Sequence, residues 1–320
     1  MTQSIEAIET EAPLWSPKDP SSSQTTLFRN RINEKFGLSL ESYEQLWEWS
    51  CSHRGDFWDQ VWGYENVIGT KGPGRLVDET ARPADNPLWF EGAELNWAEN
   101  QLRHHSSRPD DIALIQIPEP CPGWSPSAKK VTQKELYELV GRVQRSMKSS
   151  GLKRGDRVAY WGANTLEAVV VLLATSSLGG IFSSAAADFG TDGVIERLTQ
   201  IRPKLLFVTN GVVYNGVARP LLTLLPNLLE RLEHKPETTI VIDHLDPGMV
   251  KTPEGLSGLV TGWEEYLDKN EGEVEFVRMG FNEPIWILFS SGTTGKPKAI
   301  VVSSEHPAVF SESRWGTDSV

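Results

Sequence analysis

From residue 132 onward, apolar positions recur with two alternating periods. Thr132 and Glu135 form a capping box, and Leu136, Leu139, Val140, Val143 and Met147 share one helical face before Gly151 stops the run. Residues 157–161 read as a short strand. Asn164 with Glu167 caps the next helix, which is apolar almost all round and therefore expected to be buried. Residues 180–184 read as strand, 192–201 as a helix ending before Pro203, 205–208 as strand, 221–232 as helix and 239–242 as strand. Strands alternating with helices predict an α/β fold with a doubly wound, mostly parallel sheet. Such sheets bind ligands in loops at the carboxyl ends of their strands.

Upstream the pattern differs. Residues 1–26 carry Pro13, Pro17, Pro20 and a run of Ser and Thr, and are expected as a mobile tail. Residues 27–110 are expected as an N-terminal helical extension. Within it, Ser42 with Gln45 opens a helix that places Leu46 and Trp49 on one face, and Trp47, Trp58 and Trp62 enrich the same stretch in rings. These rings are expected to pack the extension onto the main domain; stacking of a ligand is the functional alternative. Residues 63–110 show little periodicity and read as an irregular connection, and 118–123 as a proline-rich surface loop.

Composition narrows the partners. The 320 residues carry a formal net charge of −12, which disfavours nucleic acid and anionic lipid as partners but permits a local anion site. Cys51 and Cys121 are far apart and form no C-x-x-C pair, so neither a disulfide framework nor a zinc site is expected. The first twenty residues lack a basic start and an apolar run, and the apolar stretch 168–174 is too short to span a bilayer. A cytoplasmic location and no membrane partner are the resulting expectations.

The densest chemistry follows the buried-strand pattern of residues 284–289. Ser290-Ser291-Gly292-Thr293-Thr294-Gly295-Lys296-Pro297-Lys298 packs four hydroxyls, two glycines and two lysines into nine residues. Glycines let backbone N–H groups converge, hydroxyls add short donors, and lysine adds a compact charge, which together suit a polyphosphate. The Walker pattern G-x-x-x-x-G-K-[ST] fails twice: Ser290 stands where the first Gly belongs, and Pro297 where a Ser or Thr would hold magnesium. Ala299-Ile300-Val301-Val302 also reads as a strand, whereas a Walker loop opens a helix. The expected setting is a loop between two strands, and a P-loop phosphotransferase is disfavoured.

The strand followed by S-S-G-T-T-G-x-P-K resembles the phosphate-binding motif of the adenylate-forming superfamily, which joins a carboxylate to ATP as an acyl adenylate and then passes the acyl group to a thiol. The resemblance implies that Ser290, Ser291, Gly292, Thr293, Thr294, Gly295 and Lys298 contact the β- and γ-phosphates of ATP, with Mg2+ and CoA as further requirements. Trp89-Phe90-Glu91-Gly92-Ala93-Glu94-Leu95-Asn96-Trp97-Ala98-Glu99-Asn100 is similar to a segment of the acetoacetyl-CoA synthetase branch, making acetoacetate the leading acyl substrate. Acetate or propionate is the runner-up. Ile181-Phe182-Ser183-Ser184, followed by Asp188-Phe189-Gly190, resembles the stretch that lies near CoA, implying CoA contacts at Phe182, Ser183 and Ser184. Serines stand there in place of two glycines, and Ala185-Ala186-Ala187 replaces a frequent Cys-Ser-Pro.

The resemblance covers about residues 35–302, with 111–302 implied as part of an adenylation domain and 303–320 expected as a disordered tail outside it. The family's catalytic lysine, adenine contacts and metal ligands have no counterpart here, so no catalytic or metal residue is assigned. The chain is accordingly expected to act as an N-terminal portion of a ligase with negligible activity alone and poor solubility. A non-catalytic nucleotide-binding remnant is the other reading. Two decoys are set aside. Asp188-Phe189-Gly190 lacks the other kinase motifs and reads as a turn, and His104-His105 has no partners at metal-ligand spacing.

Overall fold

The computed structural model describes residues 17–290 and 295–303. Its described residues fall into two compact units, which divide between Asn66 and Val67.

The first unit is helical. Asp19 caps a 3-10 turn at Pro20–Ser22, and Ser23 then accepts from the Thr26 N–H to start α1, Gln24–Phe36. Against the expected tail, residues 20–26 form a turn and a helix start, because Asp19 and Ser23 each satisfy an orphan N–H group at the start of their element. α2, Tyr43–Ser52, is capped by Ser42 and buries Leu46 and Trp49, as its spacing predicts. α3 is Arg54–Tyr64 and buries Val61 and Trp62. Trp49 packs between His53, stacked at 5.2 Å, and Phe36 at 5.0 Å, while Trp47 stays 56% exposed. Asn33 closes the α1–α2 turn with its side-chain amide, donating to Leu40 O and accepting from Leu40 N.

The second unit is built on a seven-stranded sheet. Its elements in chain order begin with α4, Trp97–Gln101, the antiparallel pair β1, Ile112–Gln116, and β2, Lys129–Thr132, and α5, Gln133–Ser149. Then come β3, Arg157–Gly162; α6, Leu166–Ser177; β4, Ile181–Ala186; α7, Thr191–Ile201; and β5, Leu205–Thr209. A hairpin follows, β6, Gly211–Tyr214, and β7, Val217–Pro220, then α8, Leu225–Arg231, and β8, Thr238–Ile242. Last are β9, Thr261–Gly262; α9, Trp263–Tyr266; β10, Pro284–Phe289; and β11, Ala299–Ser303. The sheet order is β9-β8-β5-β3-β4-β10-β11, parallel except for the antiparallel β10–β11 pair.

Side-chain alternation assigns the two faces. Ala159, Trp161, Leu206, Val208 and Val241 pack with Val194 and Leu198 of α7 and Leu225 and Leu228 of α8. Val158, Tyr160 and Phe207 point to the other face, where Phe207 meets Trp263 and Tyr266 edge-on. Burial pushes the Tyr266 phenol up to about 12. The capping box of α5 is formed as read, with Thr132 and Glu135 bonding reciprocally, and Gly151 takes a positive φ of 74° just past the helix.

Three readings need correction. Thr165, one residue later than Asn164, caps α6. The helix read over 221–232 is only Leu225–Arg231, because the Leu221 and Leu222 N–H groups both bond to Asn210 O and Pro226 fits the first turn. The connection 63–110 is partly ordered into a three-stranded sheet of Gly69–Thr70, Glu94–Leu95 and Met279–Gly280. Beside it, the fully buried Asn96 amide donates to Ser176 O at 3.0 Å, Ser177 O at 3.1 Å and Val277 O at 2.8 Å. Its Oδ1 also caps α4 through the Glu99 N–H.

Candidate functional site

β3 is flanked by β4 on one side and β5 on the other, so the chain leaves β3 in one direction and later crosses back over it. Right-handed crossovers then place α6 and α7 on opposite faces, and a crevice opens at the carboxyl ends of β3 and β4. A cavity of about 420 Å3 occupies that position. Its floor includes Gly162 and Ala163, one wall carries Ser184 and Asp188, and Tyr214 and Arg219 come from the β6–β7 hairpin. Gly162 has no room for a side chain: an added Cβ would lie 2.5 Å from Thr209 Oγ1, the atom that accepts from the Ala163 N–H at 3.1 Å. Tyr160 also lines the cavity, but its hydroxyl donates to Ala163 O at 2.9 Å and lies 3.1 Å from Thr165 Oγ1. Burial raises that phenol far above its ordinary value, so Tyr160 braces the β3–α6 turn as a neutral group. The Arg219 guanidinium lies 5.0 Å from the Tyr214 ring centroid.

The three residues expected near CoA divide sharply. Phe182 is buried in β4, and the buried Ser183 hydroxyl donates to Ile287 O of β10 at 2.8 Å. Ser184, the next residue on the strand, points to the other side of the pleat and lines the cavity.

Residues 290–298, expected at a polyphosphate, fall between β10 and β11, both strands, as the sequence suggests. Ser291, Gly292, Thr293 and Thr294 lie outside the described residues. Of the rest, Ser290 donates its backbone N–H to Lys298 O at 3.2 Å, closing the base of the hairpin. Nothing lies within 4 Å of a Cβ built on Gly295. Lys296 and Lys298 are exposed, and neither ammonium has a hydrogen bond or ion pair among the described residues. α7 reaches both ends of this loop. Arg197 stacks over the Phe189 ring at 4.0 Å and lies 5.5 Å from that of Phe289, the residue before Ser290. Gln200 donates to Pro297 O at 2.9 Å and accepts from the Ala299 N–H at 3.3 Å. Gln200 and Arg197 carry no motif, and their contacts with this stretch become visible only in three dimensions.

Asp188-Phe189-Gly190 forms the turn between β4 and α7. His105 stacks face to face on Tyr137 at 3.8 Å, and no cluster of three or more His, Cys, Asp or Glu fit to hold a metal occurs among the described residues. A second cavity, about 700 Å3, lies between α5 and residues 269–273. Its polar groups are largely spent on one another: Tyr137 donates to Glu273 at 2.6 Å, and Arg145 pairs with Asp268 at 3.3 Å.

A doubly wound, mostly parallel sheet with a cavity at its switch point defines an α/β protein. The sequence pattern of the AMP-binding enzyme family matches residues 102–315, and that of the acetyl-coenzyme A synthetase N-terminus matches residues 43–101. The chain belongs to the AMP-binding enzyme family. Among its relatives, an acetoacetyl-CoA synthetase of Danio rerio is 36% identical over 297 residues, 91% of this chain and 43% of the relative. A malonamoyl-CoA synthetase of Penicillium aethiopicum is 35% identical over 91% of this chain and 40% of the relative. The solved acetoacetyl-CoA synthetase from Streptomyces lividans superposes with a TM-score of 0.80 at 32% identity, over 92% of this chain and 44% of that one. The chain thus spans less than half the length of these relatives.

Proposed function

We propose that this chain supplies the polyphosphate-binding and thiol-facing part of an acid–thiol ligase that activates a short acyl acid with ATP. In that reaction a carboxylate oxygen attacks the α-phosphorus, the bond to the β-phosphate oxygen breaks, and pyrophosphate leaves. The CoA sulfur then attacks the acyl carbon and AMP departs. The observation that carries the reading is the β10–β11 hairpin, whose Lys298 backbone is fixed while its ammonium has no partner among the described residues. A charge held ready in this way stabilises the negative charge that collects on departing pyrophosphate. Ser290, Ser291, Gly292, Thr293, Thr294, Gly295 and Lys298 are the proposed polyphosphate contacts.

CoA is proposed at the cavity bordered by Ser184, where Arg219 offers a guanidinium to a phosphate. Phe182 and Ser183 then act from within the sheet by shaping β4 rather than by touching ligand. No described residue is assigned to Mg2+. For the acyl group, acetoacetate leads. Acetoacetyl and malonamoyl groups, in the names of two relatives, share a carbonyl on the carbon β to the thioester, so a short acid of that kind is the substrate class proposed. Acetate and propionate, which lack that carbonyl, rank below it. A cytoplasmic location is proposed from Cys51 and Cys121, both free.

The test is protection of Lys298 from an amine-acylating reagent, read by mass spectrometry. ATP in excess magnesium chloride is expected to slow acylation of Lys298 and leave the exposed Lys130 unchanged; equal rates with and without ATP would sink the polyphosphate reading. Positioning both reactants can supply about 7–11 kcal/mol of barrier lowering, and no described residue here is assigned to the α-phosphate. Acetoacetate-dependent pyrophosphate release from the 320-residue chain is therefore expected to be negligible. Robust release would show that the chain holds a complete site.

A further inference from the structure

The backbone from Pro297 to Ala299, with Lys298 at its centre, is gripped from two sides. On the β10 side the Lys298 carbonyl accepts from the Ser290 N–H at 3.2 Å. On the opposite side a strand edge would present bare groups to water, and there the Gln200 amide closes over both of them. Nε2 donates to Pro297 O at 2.9 Å, and Oε1 accepts from the Ala299 N–H at 3.3 Å. Nε2 also donates to Glu196 O at 3.0 Å, one turn earlier on α7, so the amide is tied to its own helix as well. Gln200 is exposed and takes no part in the core. Its hydrogen bonds hold the residues on either side of the motif's last lysine.

Related side-chain amide clasps, each closing on the N–H and C=O of a single residue, occur elsewhere in this unit with a plainly structural role. Asn282 donates to Trp89 O and accepts from Trp89 N, and Asn100 does the same to Ile68. Those clasps hold uncharged residues. The clasp at Gln200 holds the root of a flexible four-carbon stem whose ammonium has no partner among the described residues. Fixing that root confines the charge to a smaller volume and so raises its effective concentration at one point. We infer that Gln200 is a positioning residue, which acts through Lys298 to hold the ammonium where the terminal phosphates of a nucleotide arrive. This rests on the reading of residues 290–298 as a polyphosphate cradle.

A double-mutant cycle on the 320-residue chain tests it, with Gln200→Ala, Lys298→Ala and the pair. Dissociation constants for ATP in excess magnesium chloride and for pyrophosphate are measured by titration calorimetry, alongside thermal melts. Gln200→Ala is expected to weaken both ligands about fivefold, the loss of roughly one net hydrogen bond's worth of organisation, with an unchanged melt. The double variant is expected to bind no more weakly than Lys298→Ala alone, because Gln200 has no effect without the lysine. Wild-type affinity in Gln200→Ala, multiplicative losses in the double variant, or an early melt of Gln200→Ala would each overturn the positioning role. A wild-type chain that binds neither ligand would instead overturn the cradle reading on which the role depends.

Discussion

Residues 89–100 and 290–298 both carry the family resemblance, yet they use their polar atoms in opposite ways. In the first stretch polar side chains are spent on the fold. The Asn96 amide serves three carbonyls and a helix cap, and Asn100 clasps Ile68. In the second, Lys296 and Lys298 are exposed and unpaired among the described residues, while the backbone beneath Lys298 is pinned. A recognisable motif is thus not by itself a ligand site. Whether its polar groups already have partners separates a bracket from a cradle, since a buried polar group without a partner costs stability and an exposed one does not.

Four measurements can break or sharpen that contrast. Asn96→Ala should be the most damaging, because it removes three hydrogen bonds from a buried amide together with a helix cap. A loss of about 4 kcal/mol in urea denaturation is expected, and a loss under about 1 kcal/mol would mean that residues 89–100 are not a bracket. Ser183→Ala removes one buried bond between β4 and β10 and should lower stability by about 1 kcal/mol with nucleotide affinity unchanged; a selective loss of CoA binding would return Ser183 to the ligand site. His244, packed against Trp124, is a polar group that burial holds neutral, with its pKa depressed below 6.5. The unfolded chain then takes up the proton first. Stability should be full above about pH 6.5 and fall as pH drops below it, and His244→Gln should flatten that part of the profile. A wild-type profile flat between pH 7.5 and 5 would refute it. Smallest in stability is Lys298→Ala, expected within about 0.5 kcal/mol of wild type in the same denaturation experiment. A larger loss would place residue 298 with the brackets.

Much of the fold is legible because periodicity and capping are local. The α5 capping box and the α2 cap are complete within a few residues of sequence, and they form as written. Errors arise where distant groups decide. Leu221 and Leu222 fit a helical pattern, but Asn210 O captures their N–H groups, and the helix begins later. The β6–β7 hairpin turns at Asn215 and Gly216, both with positive φ, a turn signal that is local in the sequence. At the candidate site the motif of residues 290–298 is plain in sequence, whereas Gln200 is about a hundred positions from the residues it holds. One amide–backbone bond leaves no periodic trace, so neither Gln200 nor Asn282 could be read beforehand.

The Asn96 bracket also bears on how the chain acquires its structure in time. Two of its carbonyl partners lie about 80 residues ahead and the third 181 residues ahead, while Asn282 reaches 193 residues back to Trp89. A ribosome adding roughly 5–20 residues per second leaves residue 96 waiting on the order of ten seconds or more for Val277 to emerge. Through that interval Leu95, Trp97 and Ala98, all buried in the finished unit, have no settled place, and the nascent segment is most open to misassociation.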